Sequence, residues 1–301
     1  MKASPLAHRD AGSDLQGVLL PARFNYVGVF LTLDCNKNCF YCINTLGKPR
    51  VRPWNGTFGL TGARWIEGLN RLRLPDDLPV TLQGGEPSLH PDFLEIILGL
   101  REDLRIDILT NLSFDAKTFV RSVPAKRLWR AAPYASIRVS YHPTQSHLSE
   151  LLASVQTLID AGFPVGVYVI DHPAHADANR RASEECVKLG IDIRTKEFLG
   201  SHRGRILGTY RYADAMTGEP RAVRCRPSEL LIDPNGHVYR CHADLYAGRN
   251  PRGHILDPVL ELSDAFARCD AYGSCHPCDV KIKTNRFQEF GHTSVEIREM
   301  E

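Results

Sequence analysis

The sequence predicts an α/β fold: a partial (β/α)6 barrel followed by a small C-terminal domain that contains a β-hairpin. Six apolar, strand-like runs alternate with helix-like segments between Tyr26 and Gly200, the signature of a parallel sheet assembled from βα units. Right-handed crossovers curl such a sheet toward a barrel. Beyond Gly200 the alternation stops, and Pro234-Asn235-Gly236, a strong hairpin turn signal, separates two short apolar runs.

The strands are expected at Tyr26–Leu33, Val80–Gln83, Ile106–Thr110, Ser136–Tyr141, Val165–Ile170 and Ile191–Phe198. Helices are expected between them, near Thr61–Leu72, Pro91–Leu100, Asp115–Val123, Ser146–Ala161 and Ala176–Leu189, where apolar residues recur at helical spacing. Gly200–Pro220 reads as a connector, and Glu229–Ile232 with His237–Tyr239 as the hairpin. The domains are therefore an N-terminal extension over 1–24, a barrel over 25–218 and a cysteine-bearing unit over 219–301.

Composition narrows the class. The 301 residues are 43% hydrophobic and 24% charged with a net charge of +2, so nothing speaks for a nucleic-acid partner. No stretch approaches the roughly 20 apolar residues of a membrane span, and residues 1–24 lack a signal-peptide pattern. The expectation is a protein of the cytoplasm. Nine cysteines, an odd number grouped at metal-ligand spacings, suit that reducing setting better than a disulfide framework.

Cys35, Cys39 and Cys42 lie in LDCNKNCFYC, just after the first strand. A C-x-x-x-C-x-x-C spacing at a strand end puts three thiolates on one tight loop. Thiolates bind zinc or iron–sulfur clusters. A structural zinc site needs four protein ligands, and this motif stops at three. Three ligands on a [4Fe–4S] cluster leave one iron free for a substrate or cofactor. One βα unit later, Gly84-Gly85-Glu86-Pro87 closes the second strand, where glycines permit close backbone approach.

Together these motifs resemble the radical S-adenosylmethionine (radical SAM) enzymes, over about residues 25–200. The resemblance implies that SAM chelates the open iron and that Gly84, Gly85, Glu86 and Pro87 hold its amino group. It implies a 5′-deoxyadenosyl radical that abstracts hydrogen from an unactivated C–H bond. Residue by residue, it places Tyr41 beside the adenine and Asn111 along the pocket. It puts Ser140 at the ribose and Val167 in a small apolar wall on the adenine. A reductant such as flavodoxin or ferredoxin would supply the electron.

A second set of cysteines follows: Cys225-x10-Gly236-x4-Cys241, then Cys269, Cys275 and Cys278. Four thiolates close a cluster or bind zinc equally well. After a radical SAM core, this arrangement resembles the auxiliary-cluster module called twitch, related to SPASM. The resemblance implies one further iron–sulfur cluster, a [4Fe–4S], on Cys225, Cys241, Cys275 and Cys278. Cys269 is then a fifth thiol: another ligand, a hydrogen donor or a bystander. Cys186, in a helical pattern, reads as packing.

Candidate catalytic residues are Cys269, His142 and Glu197. Asp171, His172 and Lys196 also fall at strand ends, where active groups collect in barrels. Arg203, Arg205, Lys281, Lys283 and Arg286 could hold an anion, or form a solvated face. The leading expectation is oxidation, or epimerisation, of a small polar metabolite. The compact auxiliary-cluster dehydrogenases of aminocyclitol antibiotic assembly are the architectural parallel. A peptide maturase is the alternative, although residues 1–24 leave no room for the leader-binding region common in such enzymes. A non-catalytic metal-binding or electron-transfer protein is the other, disfavoured because electron transfer needs no GGEP turn.

Overall fold

Six parallel strands succeed one another across the sheet in the order in which they occur in the chain. They are β1 (Val27–Thr32), β2 (Val80–Gly84), β3 (Ile106–Thr110), β4 (Ile137–Ser140), β5 (Val165–Asp171) and β6 (Ile193–Glu197). Helices α1 (Gly62–Leu69), α2 (Phe93–Gly99), α3 (Ala116–Ser122), α4 (Leu148–Asp160) and α5 (Ala176–Lys188) lie between them. The computed structural model describes residues 16–46, 59–75, 77–283 and 292–300. Arg286 lies outside them.

One face of the sheet is apolar at every second residue. Val27, Val29 and Leu31 of β1, with Ile106 and Ile108 of β3 and Val165, Val167 and Val169 of β5, share one core. Trp65 of α1, Ile96 and Ile97 of α2, Phe119 of α3, Val155 and Leu158 of α4 and Cys186 of α5 complete it. Cys186 is fully buried there, a packing residue as expected. Parallel strands covered by helices need this near-continuous apolar sequence.

The opposite face carries a buried ionic knot. Asp107 of β3 accepts hydrogen bonds from Arg130 Nη2 at 2.7 Å and Arg138 Nη2 at 2.9 Å. Both guanidinium groups lie over the Tyr134 ring, at 4.6 and 5.1 Å. Nearby, the Tyr26 hydroxyl donates to Gln83 Oε1 at 3.1 Å.

The C-terminal part divides its strands between two sheets. β7 (Arg221–Pro227) starts a separate antiparallel sheet. Then β8 (Leu230–Ile232) and β9 (Val238–Tyr239) form the expected hairpin. β8 pairs in parallel with β1, Leu231 opposite Gly28, so the hairpin extends the barrel sheet to eight strands. Phe30 packs across the joint on Leu231, Tyr239 and Leu245. β10 (Ala267–Tyr272) and β11 (Val295–Arg298) flank β7. Two short helices, α6 (His242–Ala247) and α7 (Pro277–Val280), complete this part.

The Gly200–Pro220 connector is more ordered than its composition suggests. Gly200–His202 pairs antiparallel with Arg205–Leu207. Arg203 and Gly204 between them both have positive φ, 50° and 75°, the two-residue turn whose twist matches the strands. Arg203 and Arg205 are exposed at its tip.

Removing the carboxylate from the ionic knot should be severe, because breaking a buried pair leaves charge uncompensated. Asp107→Ala is expected to destabilise the protein by about 3–5 kcal/mol in urea denaturation. A loss below about 1 kcal/mol would mean water reaches the arginines and the knot is not closed.

Candidate active site

The cysteine loop leaves the end of β1 and is held from two sides. Thr32 Oγ1 accepts the Asp34 N–H at 3.0 Å and starts the turn. The Cys42 N–H bonds to the Cys39 carbonyl at 3.0 Å, closing the second half of the loop. Lys37 Nζ and the Asn38 N–H both bond to Gln145, at 2.7 and 3.3 Å, anchoring the loop to the segment after β4. Cys35 and Cys42 are half-buried and Cys39 is buried. Burial, with the other two thiols close by, pushes the Cys39 thiol up to about 11.

The GGEP turn is the third anchor, and its glycines have a specific cause. The Gly85 N–H bonds to the Thr32 carbonyl at 2.9 Å and the Glu86 N–H to the Asp34 carbonyl at 2.8 Å. A Cβ at Gly84, where φ is +151°, would collide with the Thr32 carbonyl oxygen, and one at Gly85 with that of Asp34. The close approach is to the protein's own cysteine loop.

Glu86 is fully buried and already committed to protein donors. Its carboxylate accepts from Ser88 Oγ at 2.6 Å, Thr110 Oγ1 at 2.7 Å and the Asn111 N–H at 2.6 Å. Burial raises its pKa against these hydrogen bonds. Pro87 opens the short turn that follows. Through Glu86 the motif positions Asn111, whose Nδ2 lies 3.5 Å from Cys35 Sγ. The Lys37 N–H points at the same sulfur, at 3.4 Å. Donors aimed at a cysteine sulfur suit a thiolate-ligated cluster, so the loop fits the group that its spacing implies. Among the described residues, no three His, Cys, Asp or Glu converge on a single-ion site.

Beside the loop lies an aromatic and histidine cluster. The Tyr41 hydroxyl is 2.9 Å from His142 Nδ1, and its ring stacks on His172 with centroids 5.7 Å apart. His175 packs edge-on against Tyr41 and His202 against His172, at 5.0 and 4.8 Å. Burial lowers His142 from 6.5 to about 4, helped by Lys37 and His175. The imidazole is therefore neutral where it hydrogen-bonds the Tyr41 hydroxyl.

Other expected site residues are placed less uniformly. Ser140 is half-buried at the end of β4. Val167 does not face the same side as Tyr41: it packs in the helix-facing core, because the strand's phase turns Gly166 and Tyr168 to the other face. Glu197 ends β6, exposed, and accepts from Thr209 Oγ1 at 2.7 Å. Lys196 lies over the Tyr168 ring at 4.8 Å. Asp171 is exposed at the end of β5. The solvated face expected of Lys281 and Lys283 is not found. Lys283 pairs with buried Glu229 at 2.9 Å, and burial lowers the half-buried Lys281.

The C-terminal cysteines gather at the base of β7. Cys225 and Cys241 are buried together against Val295, with Cys269 packed on them. Cys269 and Cys275 pack on Tyr272 and Val280. Buried Arg240 donates to Cys269 Sγ at 3.3 Å. A cavity of about 590 Å³, lined by Arg240, Arg249, Arg252 and Arg268, opens on Cys269. Burial pushes the Cys225 and Cys275 thiols up to about 12. Cys278 goes the other way, to about 6: burial opposes ionisation, but His276, His242 and Lys281 outweigh it.

Three residues that the sequence reading passed over join this part to the first loop. The Tyr246 hydroxyl donates to Asn44 Oδ1 at 2.9 Å, and Asn44 Nδ2 to the Gly84 carbonyl at 2.7 Å. His276 Nε2 bonds to the Ile43 carbonyl at 3.0 Å. Only His276 carried a signal, its place between Cys275 and Cys278.

Two measurements test this geometry. Gly84→Ala should push the cysteine loop off its anchor, so reconstituted iron falls by about four per chain while circular dichroism stays native. Full iron in that variant would show that the turn does not brace the loop. Below pH 6.5 the unfolded chain takes a proton that folded His142 refuses until about pH 4, so stability falls as pH falls through that window. His142→Gln should reduce the stability lost between pH 7 and pH 5 by up to about 2 kcal/mol, read from urea midpoints. Equal pH dependence in the two proteins would mean that His142 titrates normally.

No family model matches the chain. Over 157 residues it is 27% identical to GTP 3′,8-cyclase of Cronobacter sakazakii, covering 47% of this chain and 44% of that one. GTP 3′,8-cyclase of Klebsiella pneumoniae is 29% identical over 150 residues, 48% and 44% of the two chains. The match thus spans less than half the length of these relatives. Among solved structures, native anSMEcpe with bound AdoMet superposes with a TM-score of 0.53 at 14% identity, over 80% of this chain and 78% of that one. Its complex with AdoMet and the Kp18Cys peptide gives 0.50 at 14% identity, over the same shares. The chain is thus similar to GTP 3′,8-cyclases over about half its sequence, and in fold to the AdoMet-binding anSMEcpe.

Proposed function

We propose that this protein cleaves SAM reductively and removes hydrogen from a C–H bond of a small polar metabolite, in an oxidation or an epimerisation. The observation that carries the reading is the double backbone bond between the GGEP turn and the cysteine loop. It holds a three-cysteine loop and a SAM-type turn in one rigid unit, which a passive metal or electron-transfer site has no need of. Residues 25–218 would form the catalytic barrel and 219–301 a twitch- or SPASM-like unit with a second iron–sulfur cluster. Flavodoxin or ferredoxin would act as reductant, in the cytoplasm.

Cys35, Cys39 and Cys42 would hold the first cluster. When bound, the clusters and SAM supply a one-electron cleavage to a 5′-deoxyadenosyl radical, hydrogen abstraction, and an acceptor for the electron left on the substrate. The chain's own side chains supply the rest. Asn111 and Lys37 direct N–H donors at Cys35. Tyr41, fixed by His142, offers an aromatic face beside the loop. Glu197, exposed at the end of β6, would take a proton from a substrate hydroxyl. The relatives are named for GTP, so nucleotides belong in the substrate screen beside sugars and cyclitols.

Anaerobically reduced protein should convert SAM to methionine and 5′-deoxyadenosine, and the Cys35→Ala/Cys39→Ala/Cys42→Ala variant should not. Absence of 5′-deoxyadenosine from the fully reconstituted wild type would overturn the reading. Iron should fall from about eight per chain in the wild type to about four in the variant. Four falling to none would leave the C-terminal cysteines without a cluster. Once a substrate is found, solvent deuterium in the product would select epimerisation, and its absence oxidation.

A further inference from the structure

The proposal of a second metal centre leaves open which four of five thiols hold it, and the packing separates them four to one. β7 and β10 are antiparallel, with Cys269 opposite Val223 and Ala267 opposite Cys225. Cys225 and Cys269 therefore share a face of the sheet as diagonal neighbours, within reach of one another. Cys241 packs into the same group with Val295. Cys275, brought back by its N–H bond to the Ala215 carbonyl at 2.9 Å, packs with Cys269 against Tyr272 and Val280. Arg240, 7% exposed, reaches into the group and donates to Cys269 Sγ. A buried cation beside four thiols suits the negative charge that thiolate ligation brings.

Cys278 packs in neither of these groups. Its N–H bonds to His276 Nδ1 at 3.2 Å, and Ser294 Oγ donates to its carbonyl at 2.9 Å. Its side chain hydrogen-bonds to His276, outside the two packing groups that hold the four thiols. His276, two residues before Cys278, bonds to the Ile43 carbonyl just after Cys42. Cys278 therefore lies on the wall facing the first cysteine loop.

We propose that Cys225, Cys241, Cys269 and Cys275 are the ligands of the C-terminal centre, and that Cys278 is a free thiol in the wall between the two cysteine groups. This rests on the second centre proposed above. It differs from the set that the family resemblance implied, in which Cys275 and Cys278 ligated together and Cys269 was another ligand, a hydrogen donor or a bystander.

The test uses the full chain carrying Cys35→Ala/Cys39→Ala/Cys42→Ala, so that bound metal reports the C-terminal site alone. Into it go Cys269→Ser, Cys278→Ser and Cys278→Ala, reconstituted anaerobically and assayed for iron, zinc and the EPR signal of the reduced protein. The expected result is about four irons per chain and an unchanged spectrum in both Cys278 variants, with iron lost or the spectrum shifted in Cys269→Ser. Loss of metal from the Cys278 variants overturns the proposal, whatever Cys269→Ser does. Full metal with an unchanged spectrum in Cys269→Ser overturns it equally. Should Cys269→Ser unfold by circular dichroism, the Cys278 variants decide alone. If the parent holds zinc instead of iron, the same ratios decide the ligands, and only the iron reading fails. A parent with neither metal overturns the quartet, while SAM cleavage by the wild type stands or falls separately.

Discussion

Two backbone hydrogen bonds, from Gly85 N–H to the Thr32 carbonyl and from Glu86 N–H to the Asp34 carbonyl, are what the site depends on. They join the loop after β1 to the turn after β2 at a separation that no side chain permits. Each element alone would be a short surface loop, free to take many conformations. Locked together they fix the direction of Cys35, and through buried Glu86 they fix Asn111 on the next strand. Three successive strand ends are thus tied into one rim. Burying a carboxylate is costly unless its oxygens are satisfied, and at Glu86 the donors come from the elements the site must align.

The other end of the barrel obeys the same rule. Asp107, Arg130 and Arg138 fill the interior with charge that cannot move without losing its partners. Such a knot adds little net stability compared with apolar packing, but breaking it is expensive. A register slip of one residue would exchange Asp107 with Ile106 or Ile108 across the sheet. That would bury a carboxylate among Trp65, Ile96 and Phe119. The knot therefore enforces the register that delivers Thr110 and Asn111 to Glu86.

Much of this was legible in the sequence, for identifiable reasons. The cysteine spacing, the paired glycines and the Pro234-Asn235-Gly236 turn are local, and local signals survive folding. Facing is different. β5 is buried on both sides, so its sequence carries no alternation of apolar and polar residues. Val167 could be assigned to either face, and the structure puts it with the helices. Lys283 and Glu229 are far apart in sequence, so a pair that turns a presumed surface lysine into a buried one was invisible. Arg203-Gly204 makes a hairpin turn without the Asn-Gly that usually announces it. The fifth cysteine was ambiguous because spacing ranks pairs along the chain, whereas β7 and β10 bring Cys225 and Cys269 together across it.

The C-terminal part is not an appendage to the barrel. β8 is hydrogen-bonded to β1, the strand whose end carries the first cysteine loop, so the hairpin and that loop share a backbone ladder. From the hairpin the chain runs through Arg240 and Cys241 into α6, and Tyr246 on that helix reaches Asn44, which in turn holds the Gly84 carbonyl. His276, next to Cys275, bonds back to Ile43. A displacement at the C-terminal cysteines is thereby transmitted to the residues following Cys42 and to the GGEP turn through hydrogen bonds and a strand pairing, with no flexible linker between. Metal binding at the C-terminal thiols would order α6 and the segment around His276, and with them the far wall of the first site. The second set of cysteines has a structural consequence for the first cysteine loop and its GGEP turn whether or not an electron ever passes between them.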